Sequence, residues 1–407
     1  MALALERVVA YFQPIFSADT NTVYSYEILG RYINDDGEVV SLGGFFTDER
    51  VSSQEALEVD RVVRRQGMEK YAAEGQGEYL FINMRLEWLT NTGDMSEVLI
   101  ILRWAEELGI APDRLVIEIT EEEFNADNDE HMEALNAYKK AGCRIAIDDY
   151  GKNASNIDRL AMLSPDIMKI DMDYIHKSEN SYHYREYLRS LTAFAECVGI
   201  EVLYEGVETE QQLNICMASR GRYYQGFLLA PPQPSIRDAA VNRALFVSSS
   251  DHSFEVLQNN ASQANNLRGA LDTQITDFLT AHPFQPGETD TGVYVERLCG
   301  ELPDSAIHAY LCDKYGYQLT YNVVHNPQNA QNENPREKNW AWRGYYQETL
   351  TALAAGEKSY LSTAYRDVAT KQRVFTYVYA ISEDLFLLID ILRLPYVIRS
   401  PERNKMP

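Results

Sequence analysis

The stretch RLVIEITEEEFNADNDEHMEALNAYKKAGCRIAIDDY, residues 114–150, contains a complete strand–helix–strand unit. The apolar runs RLVIEI and RIAID are typical of buried strands, and DEHMEALNAYKKAG between them predicts an amphipathic helix that stops at a glycine. Similar runs, such as YLFIN, DIMKID and IEVLYEG, alternate with helix-like segments through about residue 245. This pattern predicts an α/β fold, a TIM-like (β/α)8 barrel over residues 1–250, with a doubly wound open sheet as the alternative.

Acidic charge is concentrated in the predicted barrel. The 407-residue chain has a net charge of −24. Residues 251–407 hold 14 basic and 19 acidic side chains, a net of −5, which leaves −19 for residues 1–250. Such a surface repels polyanions and argues against general nucleic-acid binding, although a small anionic ligand bridged by a metal remains compatible with it.

Several features favour a cytoplasmic protein. No eighteen-residue apolar window occurs, so we expect no membrane span. The N-terminal segment MALALERVVAYFQPIF contains Glu6 and Arg7 and lacks the features of a signal peptide, so we interpret it as mature structure. The five cysteines include no C-x-x-C pair, which favours reduced thiols over a zinc site.

Beyond residue 250 the sequence predicts two further parts. Residues 251–284 are polar, with Leu257, Ala264, Leu271 and Phe278 seven apart, which predicts a helical linker whose narrow apolar seam suits a homodimer contact. Residues 285–407 predict a small α+β domain in which RVFTYVYAIS and DLFLLIDIL form a closing hairpin. A packing or dimerisation module is the alternative to a sensory domain that binds an unknown small ligand.

Polar side chains end the apolar runs of the first 250 residues. They are Glu27, Asn83, Glu118, Asp148 and Asp149, Lys169 and Asp171, Glu205 and Gln225. In a barrel these positions meet at the C-terminal mouth. A helix cap or turn explains any single position equally well, but so many carboxylates in one mouth would repel each other without cations. Oxygen ligands select Mg²⁺ or Mn²⁺, and such cations beside a lysine suit phosphoester chemistry.

The motifs in chain order are similar to those of the EAL family of cyclic di-GMP phosphodiesterases. YSYEILGR contains Glu27, Leu29 and Arg31 of the family's E-x-L-x-R signature. FINM, EITE, DDYG, KID, YEGVE and QGFLLAPP then follow, beginning at residues 81, 118, 148, 169, 204 and 225. The resemblance covers about residues 1–240. It implies an EAL-type barrel followed, in two-domain members, by a PAS-like or Cache-like module.

The resemblance also implies roles at the mouth. One metal would be held by Glu27, Asn83, Glu118 and Asp148. A second metal or its waters would be held by Asp149 with Asp171 and Glu205. Lys169 would orient or deprotonate the attacking water, Glu121 would brace a loop, and Leu29 and Arg31 would face the substrate, with Arg31 on its phosphate. Gln225 and Pro231 would line a guanine pocket. The product would be the linear dinucleotide pGpG.

One loop departs from the family pattern. Active members usually read D-D-F-G-T-G-Y-S-S-L, whereas this chain reads DDYGKNASNI from Asp148, with Lys152, Asn153 and Ala154 in place of Thr-Gly-Tyr. Glycine allows positive φ more readily than asparagine does, so we expect binding of cyclic di-GMP with slow or conditional hydrolysis. The alternatives are a catalytically weak receptor that signals through its second domain, and an unrelated barrel hydrolase.

Overall fold

The computed structural model describes residues 3–75, 77–86, 99–120, 128–151, 157–236, 241–285, 287, 289–324, 338–367 and 371–392. The chain divides into two compact units, one up to Val256 and one from Leu257 onward. Among the described residues, no helix has both the length and the apolar character that a membrane span requires. All five cysteines are described, and none of them forms a disulfide.

The first unit contains a closed barrel. Its ring strands are β1 (Val8–Ser17), β2 (Thr22–Ile33), β4 (Tyr79–Asn83), β5 (Leu115–Thr120), β6 (Arg144–Tyr150), β7 (Ile167–Ile170), β8 (Glu201–Tyr204) and β9 (Tyr223–Tyr224), and β3 (Val39–Ser41) extends β2 outside the ring. β1 is antiparallel to both β2 and β9, whereas the other neighbours are parallel. Because β1 pairs on both sides, the ring closes. The predicted barrel is confirmed, and the open sheet is excluded.

Helices follow most of the ring strands. Those described are α1 (Gly43–Phe46), α2 (Ser53–Glu74), α3 (Ile100–Leu108), α4 (Asp129–Ala141), α5 (Ile157–Leu163), α6 (Met172–Asn180), α7 (Tyr182–Val198), α8 (Glu210–Ala218) and α9 (Arg243–Ala281). The predicted glycine stop is confirmed, because Gly142 ends α4 with φ +101°, and Gly109 ends α3 in the same way with φ +70°. An L side chain disfavours this left-handed conformation, so glycine ends a helix there at little cost.

The inside of the barrel is filled by one layer of buried side chains. These are Ile15, Phe81, Val116, Ala146, Ile167, Leu203 and Tyr223. The residues between them along the strands, such as Leu80 and Ile82 on β4, belong instead to the core that packs against the helices. Successive strand residues point to opposite faces, so the residue two positions from each layer member also points into the barrel. The layer is therefore the floor of whatever site forms at the mouth.

The second unit is a small α+β domain. It contains α10 (Thr291–Cys299), β10 (Ala306–Asp313), β11 (Val323–Val324), α11 (Gly344–Ala354), β12 (Ser359–Leu361), β13 (Tyr365–Arg366), β14 (Arg373–Ala380) and β15 (Leu385–Leu392). The sheet order is β11-β10-β15-β14-β12, with β13 also paired to β14. The predicted closing hairpin is confirmed, because β14 and β15 are antiparallel neighbours.

The apolar seam of α9 requires a correction. Leu271 and Phe278 are buried in the core of the second unit together with Ile275 from the same helix. Leu257 is 47% exposed. The sequence predicted one continuous seam suited to a second chain, but its C-terminal half is occupied by the core of its own unit.

Candidate active site at the barrel mouth

The polar residues predicted from the strand ends form a ring above the floor of the barrel. Asn83 lies two residues after Phe81, and Glu118 lies two residues after Val116. The same spacing relates Asp148, Lys169, Glu205 and Gln225 to the floor residues of β6, β7, β8 and β9. A period of two places all six side chains on the barrel's inner face at its C-terminal end.

Lys169 is the cation at the centre of this ring. Its side chain is 1% exposed, and its Nζ lies 3.1 Å from Oδ1 of Asp148 and 3.2 Å from Oε2 of Glu205. It also forms an ion pair with Glu118 and lies 3.8 Å from Oε1 of Glu27. One lysine thus faces four carboxylates, so negative charge is in excess whenever these carboxylates are ionised.

Two side-chain amides orient Glu27. Asn83 donates from Nδ2 to Oε1 of Glu27 over 3.1 Å, and Gln225 donates from Nε2 to Oε2 over 2.7 Å. Each amide group therefore turns its nitrogen toward Glu27. The Oδ1 of Asn83 and the Oε1 of Gln225 are left as the atoms able to accept from a ligand or coordinate a cation.

Burial and repulsion between carboxylates raise the pKa values of two glutamates in the ring of polar side chains. Burial raises the pKa of Glu118 well above its usual value of 4.5, and the charge of Glu27 adds to the rise. Burial also raises the pKa of Glu205 well above 4.5, with the charge of Asp148 as the next cause. For Lys169, burial would lower the pKa, but the carboxylates led by Asp148 outweigh it and raise the pKa well above 10.5. The lysine is therefore held as an ammonium.

Buried oxygen atoms in the ring lack hydrogen-bond donors. Among the described residues, neither Oε2 of Glu118 nor Oε1 of Gln225 has a hydrogen-bond partner, and both atoms are buried. An unsatisfied buried acceptor is costly. In addition, carboxylate oxygens of Asp148, Asp149 and Glu205 lie within 4.8 Å of one another. Oxygen donors at this density fit a hard divalent cation.

Other predicted residues have different positions. Asp171 is buried and caps α6, where its Oδ1 accepts from the backbone N–H of Asp173 over 2.7 Å, and it is not part of the Asp148–Asp149–Glu205 group. The helix-cap alternative thus holds for Asp171. Glu121 and residues 152–156 lie outside the described residues.

A cavity of about 270 Å³ opens beside the ring, lined by Glu27, Asn83 and Glu118 on one side and by Leu29 and Arg31 on another. The guanidinium of Arg31 lies 5.9 Å from the ring centre of Tyr11, and burial lowers its pKa. Within the described part of the chain Arg31 forms no ion pair, although the charge of Glu27 acts on it. Gln225 lies in the ring itself, and Pro231 is exposed.

Three charged residues that were not predicted from the strand ends also line this cavity. Asp60 and Arg64 on α2 form an ion pair, and Arg64 is only 2% exposed. Arg85 donates to the backbone oxygen of Phe46 over 3.0 Å. A signal existed for the first two, because they sit four residues apart on the stripe of α2 that also carries Val59 and Val63. Charged residues on an apolar helix stripe point to a buried polar function.

A fourth missed residue is Gln13 of β1. Its Nε2 donates to the backbone oxygen of Ala230 over 3.2 Å, and its Oε1 lies 3.4 Å from Nε2 of Gln225. It precedes the floor residue Ile15 by two positions instead of following it. β1 runs antiparallel to its two neighbouring strands in the barrel. Its N-terminal end therefore lies at the mouth, where the other strands have their C-terminal ends.

Comparison with known proteins identifies the family. The pattern of the EAL domain matches residues 1–232. The chain belongs to the EAL domain family. A second family, the EAL-domain associated signalling protein domain, matches residues 249–398. The family assignment excludes the unrelated barrel hydrolase.

The relatives of this EAL protein include one with the same two-domain layout. The uncharacterized EAL-domain containing protein YkuI of Bacillus subtilis is 32% identical over 406 residues, which cover 96% of this chain and 95% of YkuI. The crystal structure of YkuI with its substrate c-di-GMP and calcium superposes with a TM-score of 0.85 at 30% identity, covering 97% of each chain.

Two further relatives match the barrel part. The probable cyclic di-GMP phosphodiesterase PdeA of Escherichia coli is 34% identical over 134 residues, 33% of this chain and 18% of PdeA, so the chain spans less than a fifth of that protein. The manganese and cy-diGMP complex of Klebsiella pneumoniae BlrP1 at pH 6 has a TM-score of 0.51 at 25% identity and covers 58% of each chain. EAL relatives thus include cyclic di-GMP phosphodiesterases and structures with bound divalent metals.

Proposed function

We propose that this EAL protein binds cyclic di-GMP with divalent cations at the barrel mouth and hydrolyses one phosphodiester bond to give pGpG. The observation that carries the proposal is the ring of buried oxygen ligands around Lys169, with unsatisfied acceptors on Glu118 and Gln225 beside an arginine-lined cavity. The cyclic di-GMP complexes of YkuI with calcium and of BlrP1 with manganese support the choice of ligand and metal.

Two groups of residues would hold Mg²⁺ or Mn²⁺. Glu27, Asn83, Glu118 and Asp148 would form one set, since Asn83 already hydrogen-bonds Glu27 and Lys169 reaches the three carboxylates. Asp149 with Glu205 would form the second, in contact with the first through Asp148. Asp171 would support this second set indirectly, because its Oδ1 accepts a hydrogen bond as the cap of α6. When bound, these cations would activate water and offset charge that develops on the phosphoryl oxygens.

Lys169 would orient the attacking water. Without metal, the surrounding carboxylates raise its pKa and hold it as a hydrogen-bond donor, and a donor beside the ligand oxygens is suited to orienting a water. The water oxygen would attack phosphorus, the bond from phosphorus to the 3′ oxygen would break, and that oxygen would leave with a proton. That proton would come from the attacking water, and Glu205, 3.2 Å from Nζ of Lys169, would hold the lysine in place beside it.

The cavity would receive part of the dinucleotide. Arg31 would contact phosphate and Leu29 would pack against the ligand, because both line the cavity on the same strand as Glu27. Gln225 and the segment around Pro231 would approach a guanine from the other side of the mouth. Glu121 would brace a neighbouring loop.

The test measures bound ligand and linear product in the same sample. Full-length protein is incubated with cyclic di-GMP and either Mn²⁺ or Mg²⁺, with Glu118→Gln as the site variant and the exposed Glu196→Gln as its control. We expect metal-dependent binding and formation of pGpG that Glu118→Gln abolishes and Glu196→Gln keeps. Neither binding nor product from the wild-type protein would refute the proposal.

A receptor with little turnover is the second candidate. The substituted triplet Lys152, Asn153 and Ala154 next to the candidate metal ligands favours it. Metal-dependent binding without product in the same assay would select this function over hydrolysis. In either case we propose that the protein is cytoplasmic and homodimeric, and that its second domain is a PAS-like regulatory module.

The second domain offers a specific place for such regulation. His308, Asp390 and Thr376 face each other across β10, β15 and β14. Thr376 donates from Oγ1 to Oδ1 of Asp390 over 2.8 Å, and the hydroxyl of Tyr365 lies 2.8 Å from the same Oγ1. Nδ1 of His308 lies 3.8 Å from Oδ2 of Asp390. This polar row crosses a sheet face that is otherwise apolar and aromatic, with Tyr310 and Leu388 in its buried cluster, so these polar side chains are the first to replace in a test for a response to a small ligand.

A further inference from the structure

The first turn of α6 packs against two turns that carry candidate metal ligands. One turn follows Asp148 and Asp149 and contains Gly151, where an added Cβ would lie 2.7 Å from Cε2 of Tyr174. The other follows Glu205 and contains Gly206, where an added Cβ would overlap Cβ of Met172. Both glycines have positive φ, +100° and +65°. Tyr174 and Met172 therefore touch the backbone on both sides of the Asp148–Asp149–Glu205 group.

The Asp148–Asp149 turn is strained. Asp149 has φ +55°, a left-handed conformation that is unfavourable for a residue with a Cβ. The pairing of β6 with β7 also changes register between Ile147 and Tyr150, so an irregularity lies at the two aspartates. Strained backbone persists only where the surroundings hold it in place.

Tyr174 makes the hydrogen bond that can hold this turn. Its hydroxyl donates to the backbone oxygen of Gly151, two residues beyond Asp149. The ring is fixed in turn by stacking on Tyr187, with centroids 5.1 Å apart and planes at 26°, and by contact with Tyr184 at 5.9 Å. The donor is thus held by α6 and α7, outside the ring of polar ligands.

We infer that Tyr174 is a positioning residue for the cation site: its hydroxyl holds the carbonyl of Gly151 and so keeps Asp149 turned toward Asp148 and Glu205. This rests on the proposed function, in which these three carboxylates bind a divalent cation. Tyr174 itself touches none of the reacting atoms. If only the packing of its aromatic ring mattered, removal of the hydroxyl would change neither cation binding nor the Asp148–Asp149 turn.

The test removes only the hydroxyl. Tyr174→Phe keeps the ring. Tyr184→Phe is the matched control, because Tyr184 contacts the same ring and its hydroxyl makes no hydrogen bond within the described residues. Two properties are measured on full-length protein without nucleotide: Mn²⁺ affinity by calorimetry, and hydrogen exchange of the backbone amides of residues 149–151 in the metal-free state.

We expect Tyr174→Phe to weaken Mn²⁺ binding and to speed exchange, each by about threefold to tenfold, the effect of one lost hydrogen bond. Tyr184→Phe stays within twofold of the wild type. A Tyr174→Phe protein that matches the control in both measurements overturns the inference. If the wild type binds no Mn²⁺ without nucleotide, the exchange rates alone decide whether Tyr174 holds the turn, and the proposed function is decided by the assay of bound cyclic di-GMP and pGpG.

Discussion

The Nζ of Lys169 lies 3.1 Å from Oδ1 of Asp148, and both atoms are in the interior of the barrel mouth. The lysine contacts the same carboxylates that would coordinate a cation. It therefore offsets part of their repulsion before any metal arrives. Two kinds of positive charge can thus offset the repulsion between these carboxylates: the ammonium of Lys169 on β7, and a bound divalent cation.

Lys169→Met should destabilise the metal-free protein. Lys169 is 1% exposed, and its loss leaves buried carboxylates without a partner, which costs about 3 to 5 kcal/mol. Mn²⁺ should restore part of this loss, because it supplies the missing positive charge. The measurement is the free energy of unfolding in urea, with and without Mn²⁺.

The control for this variant is Lys140→Met. Lys140 is exposed on α4, so its replacement should change the free energy of unfolding by less than about 1 kcal/mol and should not respond to Mn²⁺. A Lys169→Met protein as stable as the control would show that the lysine does not compensate the carboxylates.

Mn²⁺ binding should release protons and strengthen as pH rises. The pKa values of Glu118 and Glu205 are raised by burial, so these groups hold protons above the usual carboxyl range near 4.5, and a cation must displace them. Affinity should rise by up to about tenfold per pH unit for each proton displaced, until pH exceeds the raised pKa values. Calorimetry in two buffers of different ionisation enthalpy measures the release.

The same pKa values give the opposite trend for metal-free stability. A carboxyl whose folded pKa is raised stabilises the fold fully below its unfolded pKa, and this contribution is lost as pH rises through the folded pKa. The metal-free protein should therefore lose stability as pH rises above 4.5 through the raised values of Glu118 and Glu205, whereas the Mn²⁺-bound protein should not. Identical pH profiles for the two forms would contradict this account.

The sequence allowed the barrel and most of the ring to be predicted because both follow from strand period. Glu118 and Asp148 end apolar runs whose alternate residues fill the barrel, so their position follows from counting along the strand. Gln13 could not be predicted in this way. Only the sheet pairing shows that β1 is antiparallel to its neighbours and that its N-terminal end lies at the mouth.

Other features do not follow from the polar residues that end the apolar runs. Asp171 follows an apolar run as the ring residues do, yet its Oδ1 caps α6. Asp60 and Arg64 form their ion pair on α2, so the residues at the strand ends do not reveal them. Leu257 and Leu271 both fit the seven-residue spacing on α9. Leu257 is nevertheless exposed and Leu271 is buried, because only Leu271 packs into the core of the second unit.

Restoring the family triplet should raise turnover. The combined change Lys152→Thr, Asn153→Gly and Ala154→Tyr replaces residues outside the described part of the chain, so the prediction rests on sequence alone. Glycine adopts positive φ at lower cost than asparagine does, and a difference of roughly 1 kcal/mol corresponds to about fivefold faster formation of pGpG. The measurement is product formed with Mn²⁺ at saturating cyclic di-GMP. Unchanged turnover with unchanged binding would show that this loop does not limit hydrolysis.

Leu271→Ala should destabilise the second unit without changing the oligomeric state. Leu271 is 1% exposed in the core of that unit, and its truncation leaves a cavity that costs about 2 to 5 kcal/mol. Leu257→Ala, on the same helix but at a position 47% exposed, should cost less than about 1 kcal/mol. Urea unfolding and light scattering on a sizing column measure the two properties. A Leu271→Ala protein of normal stability but altered mass would instead assign this residue to a contact between chains.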